Sequence, residues 1–426
     1  MFTTLIYRAR MIAGAVSGRR DMSTEDRNYR NLLLSGLWFG PVDGGIYNFL
    51  GVFLARLGAS ASVVGLLTSG PALLSMLTYI PGGALAERYT DQMKLFVRIT
   101  LLARLSYLLI ALLPLLLTGS ALPLAIVLVW ALAAIPNSIG QPAWTAAMAQ
   151  AVPPRRRAAL NGARWSLMSL VSGALLLVFG LWLDRGPFPL AYQIVFLISF
   201  VAGVLNLYYF WRVSVPPFVP AARAAEPLHI GARLADFFRP LGESRPFVRY
   251  NIASIGFRLA LALPAGLYSI YWVNDLRATD SWIGLRGTAG YAALVVGYWF
   301  WGRAANRIGH RRLLLICGAT FALYPTLTAL APSVHWLLPA AVLWGLAASG
   351  IDLGLFDMLL AVCPEGQQPR FAAAANTLAS LALTLGPLLG AGLAAAVTVR
   401  GALFVSGALQ FASTFAFLLL PEHEHE

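Results

Sequence analysis

Twelve membrane-spanning helices are the architecture this all-α sequence predicts, and three observations predict it. Of 426 residues, 58% are apolar and only 12% are charged, more apolar surface than a water-soluble chain of this length can bury. The apolar residues fall into twelve runs, each close to the roughly 20 residues needed to cross a bilayer. The bases lie between the runs and alternate in density. With the N-terminus inside, the inner segments hold 24 of the 31 Lys and Arg, the outer loops hold Arg56, Arg185, Arg277, Arg286 and Arg400, and Arg104 and Arg258 fall within runs. That asymmetry, with an even number of spans, places both termini in the cytoplasm.

The first run, Leu32 to Leu54, follows a basic leader and the stretch Met22-Ser23-Thr24-Glu25-Asp26, which reads like a natural start. No cleavable signal peptide is visible in it. The run is interrupted by Gly40-Pro41-Val42-Asp43-Gly44-Gly45, a Pro and three Gly that weaken a helix and free backbone groups toward a cavity. Ser62 to Leu85, Leu95 to Leu117, Leu122 to Ala149, Ala158 to Leu183 and Tyr192 to Trp211 follow. Arg212 to Tyr250 is a linker rich in Arg and Pro, in which Leu234-Ala235-Asp236-Phe237-Phe238 forms either a surface helix or part of a tether. The second set is Asn251 to Val273, Trp282 to Trp301, Leu313 to Leu330, Leu337 to Leu360, Phe371 to Val397 and Gly401 to Leu420. The expected division is therefore 1–30, 31–211, 212–250, 251–420 and 421–426.

The two sets echo each other. Gly302-Arg303-Ala304-Ala305-Asn306-Arg307-Ile308-Gly309-His310-Arg311-Arg312 has a faint copy 219 residues earlier, beginning Gly83-Ala84-Leu85-Ala86-Glu87-Arg88. Val152-Pro153-Pro154-Arg155-Arg156-Arg157 returns loosely as Cys363 to Arg370. The first pair resembles the G-x-x-x-D-R-x-G-x-[RK]-[RK] loop signature of the major facilitator superfamily of transporters. Gly302, Arg307, Gly309, Arg311 and Arg312 match it, with Asn306 in place of the acid; Gly83, Glu87 and Arg88 match in the weaker copy. The resemblance spans about Asn28 to Leu420 and implies a fold of two pseudo-symmetric six-helix halves around a central site, the loop latching the halves in one conformation. It also implies that the first, fourth, seventh and tenth helices line the cavity. Gly386-Pro387-Leu388-Leu389-Gly390 on the eleventh run resembles the family's glycine-proline motif, while the Arg usual on the fourth helix of its proton antiporters is missing here.

The net charge of +13 is scattered in small groups, which argues against nucleic acid as a partner. Cys317 and Cys363 have no metal-ligand spacing. The tail Glu422-His423-Glu424-His425-Glu426 is read as a solvated end before a metal site. There is no phosphate-binding loop and no nucleophile elbow, so neither an enzyme nor an ATP-driven pump is expected, and no cofactor.

Ionisable groups inside a membrane are costly and hence functional candidates. Asp43 lies near the middle of the first helix, either as a proton-titrating carboxylate or as a structural acid. Arg258 on the seventh helix and Asp352 and Asp357 on the tenth fall at similar depth, so a gate or a static pair is expected between Arg258 and one acid, Asp352 for preference. Asn137 and Gln141 supply neutral amides to a substrate or glue between helices; Trp38, Tyr47, Tyr268 and Trp344 form an aromatic wall or packing. Arg104 and Arg164 lie off the cavity helices, Arg164 snorkelling to headgroups. The expectation is a secondary transporter, monomeric, in a bacterial inner membrane, moving a small neutral, amphipathic or weakly cationic organic molecule, with efflux preferred, and with proton coupling, uniport and symport all open. A metabolite or sugar uptake permease and a non-transporting assembly factor or sensor are the alternatives.

Overall fold

The computed structural model describes residues 23–86, 88–217, 244–363 and 368–420, and among them all regular structure is helical. The proposed start at Met22, the surface helix at Leu234 to Phe238, Glu87, the echo at Pro364 to Gln367 and the acidic tail lie outside the described residues, as does the side chain of Asn306.

Before the linker the chain forms α1 (Thr24–Val42), a π turn (Asp43–Tyr47), α2 (Asn48–Arg56), α3 (Ala61–Ala86), α4 (Gln92–Leu116), α5 (Ala121–Leu132), α6 (Ala134–Ala151), α7 (Pro154–Arg185) and α8 (Leu190–Trp211). After it come α9 (Arg245–Ala262), α10 (Leu267–Ile270), a second π turn (Tyr271–Asp275), α11 (Asp280–Ile308), α12 (His310–Leu330), α13 (Leu337–Val362), α14 (Gln368–Ala396) and α15 (Val399–Thr414). Ser23 caps α1, accepting from the Asp26 N–H at 3.1 Å and donating to its carboxylate at 2.8 Å, a reciprocal cap that satisfies groups the first turn leaves open. Asp91 caps α4 by accepting from the Lys94 N–H at 3.0 Å.

Three of the expected spans are broken where the sequence carries Pro. Pro136 offers no N–H to the Leu132 carbonyl, and the fourth span divides into α5 and α6 at Ala133. Pro264 does the same between α9 and α10, and Pro41 precedes the π turn at Asp43. Among the described residues, ten helical stretches are long and apolar enough to cross a membrane. The expected first and eighth runs are helical, over 24–56 and 280–308, but are not among the ten. They carry the Gly, Tyr and charged residues that build the site described below.

The helices before the linker pack on one another, as do those after it, and two seams join the groups: α7 against α11 and α3 against α14. The largest buried apolar cluster crosses these seams, running from Phe49, Phe53 and Phe196 to Ile270, Tyr271 and Leu337. Exposed leucines such as Leu102, Leu109 and Leu116 of α4 form the outer surface, as a lipid-facing wall requires.

Candidate functional site

At one end of the molecule charged side chains join the two groups across the seam between α7 and α11. At the end holding Arg56, Asp184 and Asp280, the Arg56 guanidinium contacts the Asp280 carboxylate at 2.8 Å and donates to the Ala278 carbonyl at 2.8 Å. Asp184 accepts from the backbone N–H groups of Asp280 and Ser281 at 2.7 and 3.1 Å, the position at the start of α11 where the helix dipole favours an anion. A Cβ on Gly284 would lie 2.3 Å from the Leu176 carbonyl oxygen, so only glycine lets α11 approach α7 this closely.

Midway along the helices two more bonds cross between the groups. The π turn carries the Asp43 carboxylate to α11, where it accepts from the Tyr291 hydroxyl at 2.5 Å; the Asn48 amide donates back to the Asp43 carbonyl at 2.7 Å. π turns recur at functional positions because they shift side chains off the α-helical track. One turn away, Thr288 donates to the Gly173 carbonyl at 2.6 Å. Roughly 25 Å of α7 and α11 remain between these bonds and the other end, and there Gly162 and Gly302 each face open space.

Behind the charged end lies a cavity of about 570 Å³, within the size range of small-molecule sites. Tyr47, Asn48, Tyr107, Trp130 and Asn137 line it from one group, Ala265, Ser269, Ser380 and Leu383 from the other, and none of its lining residues is charged. The helix breaks at Ala133 and Pro264 lie at its wall: Ala133 and Ala134 on one side, Ala265 on the other, are lining residues.

The expected residues are only partly brought together. Tyr47 and Asn137 face the cavity. Gln141 is exposed, with its carbonyl taken by Thr145 at 3.0 Å. Trp38 packs against the large apolar cluster, and Trp344 lies against both it and a second cluster after the linker. Tyr268 stacks on Trp272 and against Tyr324. Arg258 does not form the expected ion pair. It donates to Ser254 on the preceding turn at 3.2 Å, while Asp352 accepts from Tyr298 at 2.8 Å and Asp357 lies 3.5 Å from His310. The α11 and α13 packing brings the Tyr298 hydroxyl to Asp352, so the carboxylate is hydrogen-bonded without Arg258.

Two arginines are placed differently than expected, and a third has a contact that was not expected. Arg286 is not in a loop: α11 begins at Asp280, and the Arg286 guanidinium lies 4.1 Å from the Trp272 ring centroid and donates to the Tyr324 hydroxyl. Arg164 lies over Trp144 and Phe210 instead of extending to the membrane surface. Arg104 lies off the cavity helices, yet it donates to Tyr107, which lines the cavity. Tyr107, Trp130, Tyr291 and the Arg56, Asp184 and Asp280 group were missed in the sequence. The charged trio carried a signal, since each member flanks a short outer loop; the aromatics sit in apolar runs and carried none.

In the duplicated loops, Gly83 falls in the last turns of α3, Arg88 follows it, and Gln92 ties the turn by donating to the Ala86 and Tyr89 carbonyls. In the other copy Gly309 has φ +80°, a left-handed conformation that suits glycine, between α11 with Gly302 and Arg307 and α12 with Arg311 and Arg312.

A helical bundle with two seams around a cavity lined by uncharged residues from both groups has the form of a transporter. The sequence matches the Major Facilitator Superfamily over residues 32–263 and 250–426, and the chain belongs to that family; it is a multi-pass membrane protein. Its fold is similar to that of the nucleoside transporter NupG, at a TM-score of 0.66 and 12% identity, covering 93% of this chain and 98% of that one. It is similar to a POT family transporter in complex with a thioalcohol-conjugated peptide, at 0.72 and 12%, covering 92% and 95%. It is also similar to a bacterial homologue of the iron transporter ferroportin in an inward-facing state, at 0.66 and 17%, covering 92% and 98%. At these identities the likeness shows the fold alone. No curated protein matches the sequence.

Proposed function

We propose that this protein is a secondary transporter with twelve spans in two six-helix halves, 31–211 and 251–420, joined by the linker 212–250, in a bacterial inner membrane. Both termini are cytoplasmic by the distribution of bases. With that orientation the Arg56, Asp184 and Asp280 contacts lie at the outer face, and the state we assign to the protein is the one open to the cytoplasm. The observation that carries the reading is a cavity lined by both halves, with ion-pair and hydrogen-bond contacts between the halves at its outer end and midway along the helices. Alternating access then consists of breaking the Arg56, Asp184 and Asp280 contacts while the open ends of α7 and α11 close.

The substrate is a small organic molecule, neutral or amphipathic, because the lining offers aromatic faces, amides and hydroxyls and no charge. Asn137 and Tyr47 are its contacts. Asp43 is the coupling group: protonation removes the charge from its bond to Tyr291, weakens a clasp between the halves, and so links a proton to the conformational step. Asp352 and Arg258 lie on the open side and act as gate residues without pairing in this state. Efflux is favoured as the direction, in keeping with an amphipathic cargo.

Purified protein in liposomes with an imposed pH gradient tests this. Saturable, gradient-driven flux of a member of an amphipathic compound set is expected, with Asp43→Asn abolishing its dependence on pH. Flux that is absent for every compound while a second protein co-purifies in fixed ratio would instead support an assembly or sensor role.

A further inference from the structure

The cavity wall holds a buried cation that the proposed transport cycle does not use. Arg104 of α4 is 5% exposed and has no carboxylate partner among the described residues. Its guanidinium lies 5.5 Å from the Phe39 ring centroid and 5.3 Å from that of Tyr107, and its Nε has no hydrogen-bond partner. An uncompensated charge within the membrane costs several kcal/mol. If it served only to pack α4 against α8 at Gly203, an apolar side chain of similar length would serve better.

What Arg104 does make is a directed chain. Its Nη1 donates to the Tyr107 hydroxyl at 2.5 Å, leaving the Tyr107 proton for the Tyr47 hydroxyl at 3.4 Å. Tyr47 accepts, and its own proton has no acceptor among the described residues. Tyr47 is 43% exposed and lines the cavity. Linked hydrogen bonds polarise one another, most strongly when a cation heads the chain. The neighbouring Trp130 indole is already committed, donating to the Leu67 carbonyl at 3.2 Å. Its ring, 5.1 Å from Tyr47 and 6.1 Å from Tyr107, therefore contributes a flat apolar face beside the Tyr47 donor.

We infer that Tyr47 is an acceptor-recognising subsite, polarised by Arg104 through Tyr107, and that the cavity takes flat amphipathic molecules carrying a carbonyl or carboxylate oxygen and rejects cations. Resting on the transporter reading of the cavity, this narrows the substrate class: the weakly cationic molecules admitted by the sequence are excluded. No carboxylate lines the cavity to balance a ligand cation, while Arg104 supplies a positive field behind its wall. Arg104 is a positioning residue, acting on the ligand only through the tyrosines.

The test is equilibrium binding by titration calorimetry of the full chain in detergent, with micelles alone subtracted, using naphthamide, naphthoate and naphthylmethylammonium as matched probes. The two acceptor-bearing probes are expected to bind at least about tenfold more tightly than the ammonium, the size of one charge-assisted hydrogen bond. Tyr47→Phe keeps the ring and removes the donor. It should weaken both acceptors about tenfold and leave the ammonium unchanged. Arg104→Met and Tyr107→Phe should narrow the acceptor-to-ammonium ratio, and because that ratio is internal to each protein a merely structural role for Arg104 would shift melting without moving it. An ammonium probe that binds as tightly as the others, acceptor binding that survives Tyr47→Phe, or no binding of any probe overturns the inference. Flux assays on the same protein keep the two readings apart: acceptor preference without flux leaves this subsite standing and removes the transporter, and flux with no acceptor preference does the reverse.

Discussion

The bond between Asp43 and Tyr291 is the point at which a single side chain joins the two helix groups. Tyr291→Phe removes the donor and leaves a half-buried carboxylate without it, so thermal denaturation in detergent should show a loss of about 2 kcal/mol, the usual contribution of a hydrogen bond to a charged group. A loss no larger than that of an exposed Tyr→Phe control would show that the clasp contributes nothing. A second carboxylate titrates outside the membrane. The Ser23 hydroxyl and then the Arg156 guanidinium hold the Asp26 carboxyl below the ordinary carboxylate range, with Arg156 at 2.9 Å. Because the folded value is the lower one, the contact contributes in full above the unfolded value of about 4 and is lost as pH falls through the folded value. Melting of the native chain should therefore drop below about pH 4 more steeply than that of Asp26→Asn; parallel curves would contradict the assignment. Asp43 itself was legible in the sequence as an acid beside Pro41 in an apolar run. Its partner was not, because a tyrosine in an apolar run looks the same whether it packs or bonds, and only the seam between α7 and α11 brings Tyr291 within reach.

Helix breaks position the cavity, and they were visible in advance only in part. Pro41 with its glycines marked the first break correctly, and Pro136 marked a kinked, polar patch on the fourth span, since a missing N–H is a local property of the sequence. What Gln141 and Asn137 would meet was not local. The two lie on nearly the same face of α6, one turn apart, yet Asn137 lines the cavity and Gln141 is exposed, an outcome set by where the cavity ends along the helix. The expected Arg258 and Asp352 ion pair is not formed: equal depth brings the two charges near each other, but each side chain makes its hydrogen bond to another partner. Close approach of elements makes its own prediction. Gly284→Ala places a methyl where the Leu176 carbonyl stands, so the outer end cannot close as it does here. In the liposome assay this variant should lose most transport while its melting falls by only about 1–3 kcal/mol; unimpaired flux would show that the α7 and α11 contact is not part of the cycle.

At the scale of the molecule, alternation of apolar runs and basic loops was enough to predict a multi-pass helical protein, because bilayer thickness and unsatisfied backbone groups leave few other solutions. The resemblance carried by Gly302 to Arg312 pointed to the family to which the chain belongs. The conformational state could not be read from the chain, since both states of a rocking bundle are built from one set of runs. The central claim is that the two helix groups swing about the cavity, and it is tested most directly by the distance between spin labels at Gly162→Cys on α7 and Gly302→Cys on α11. Both sites face open space, and the native Cys317 and Cys363 are buried and can be replaced by Ala. The account predicts a long distance for the native background and a shift toward a shorter one in Gly284→Ala, where the outer end cannot close. A single distance that Gly284→Ala leaves unmoved would contradict it.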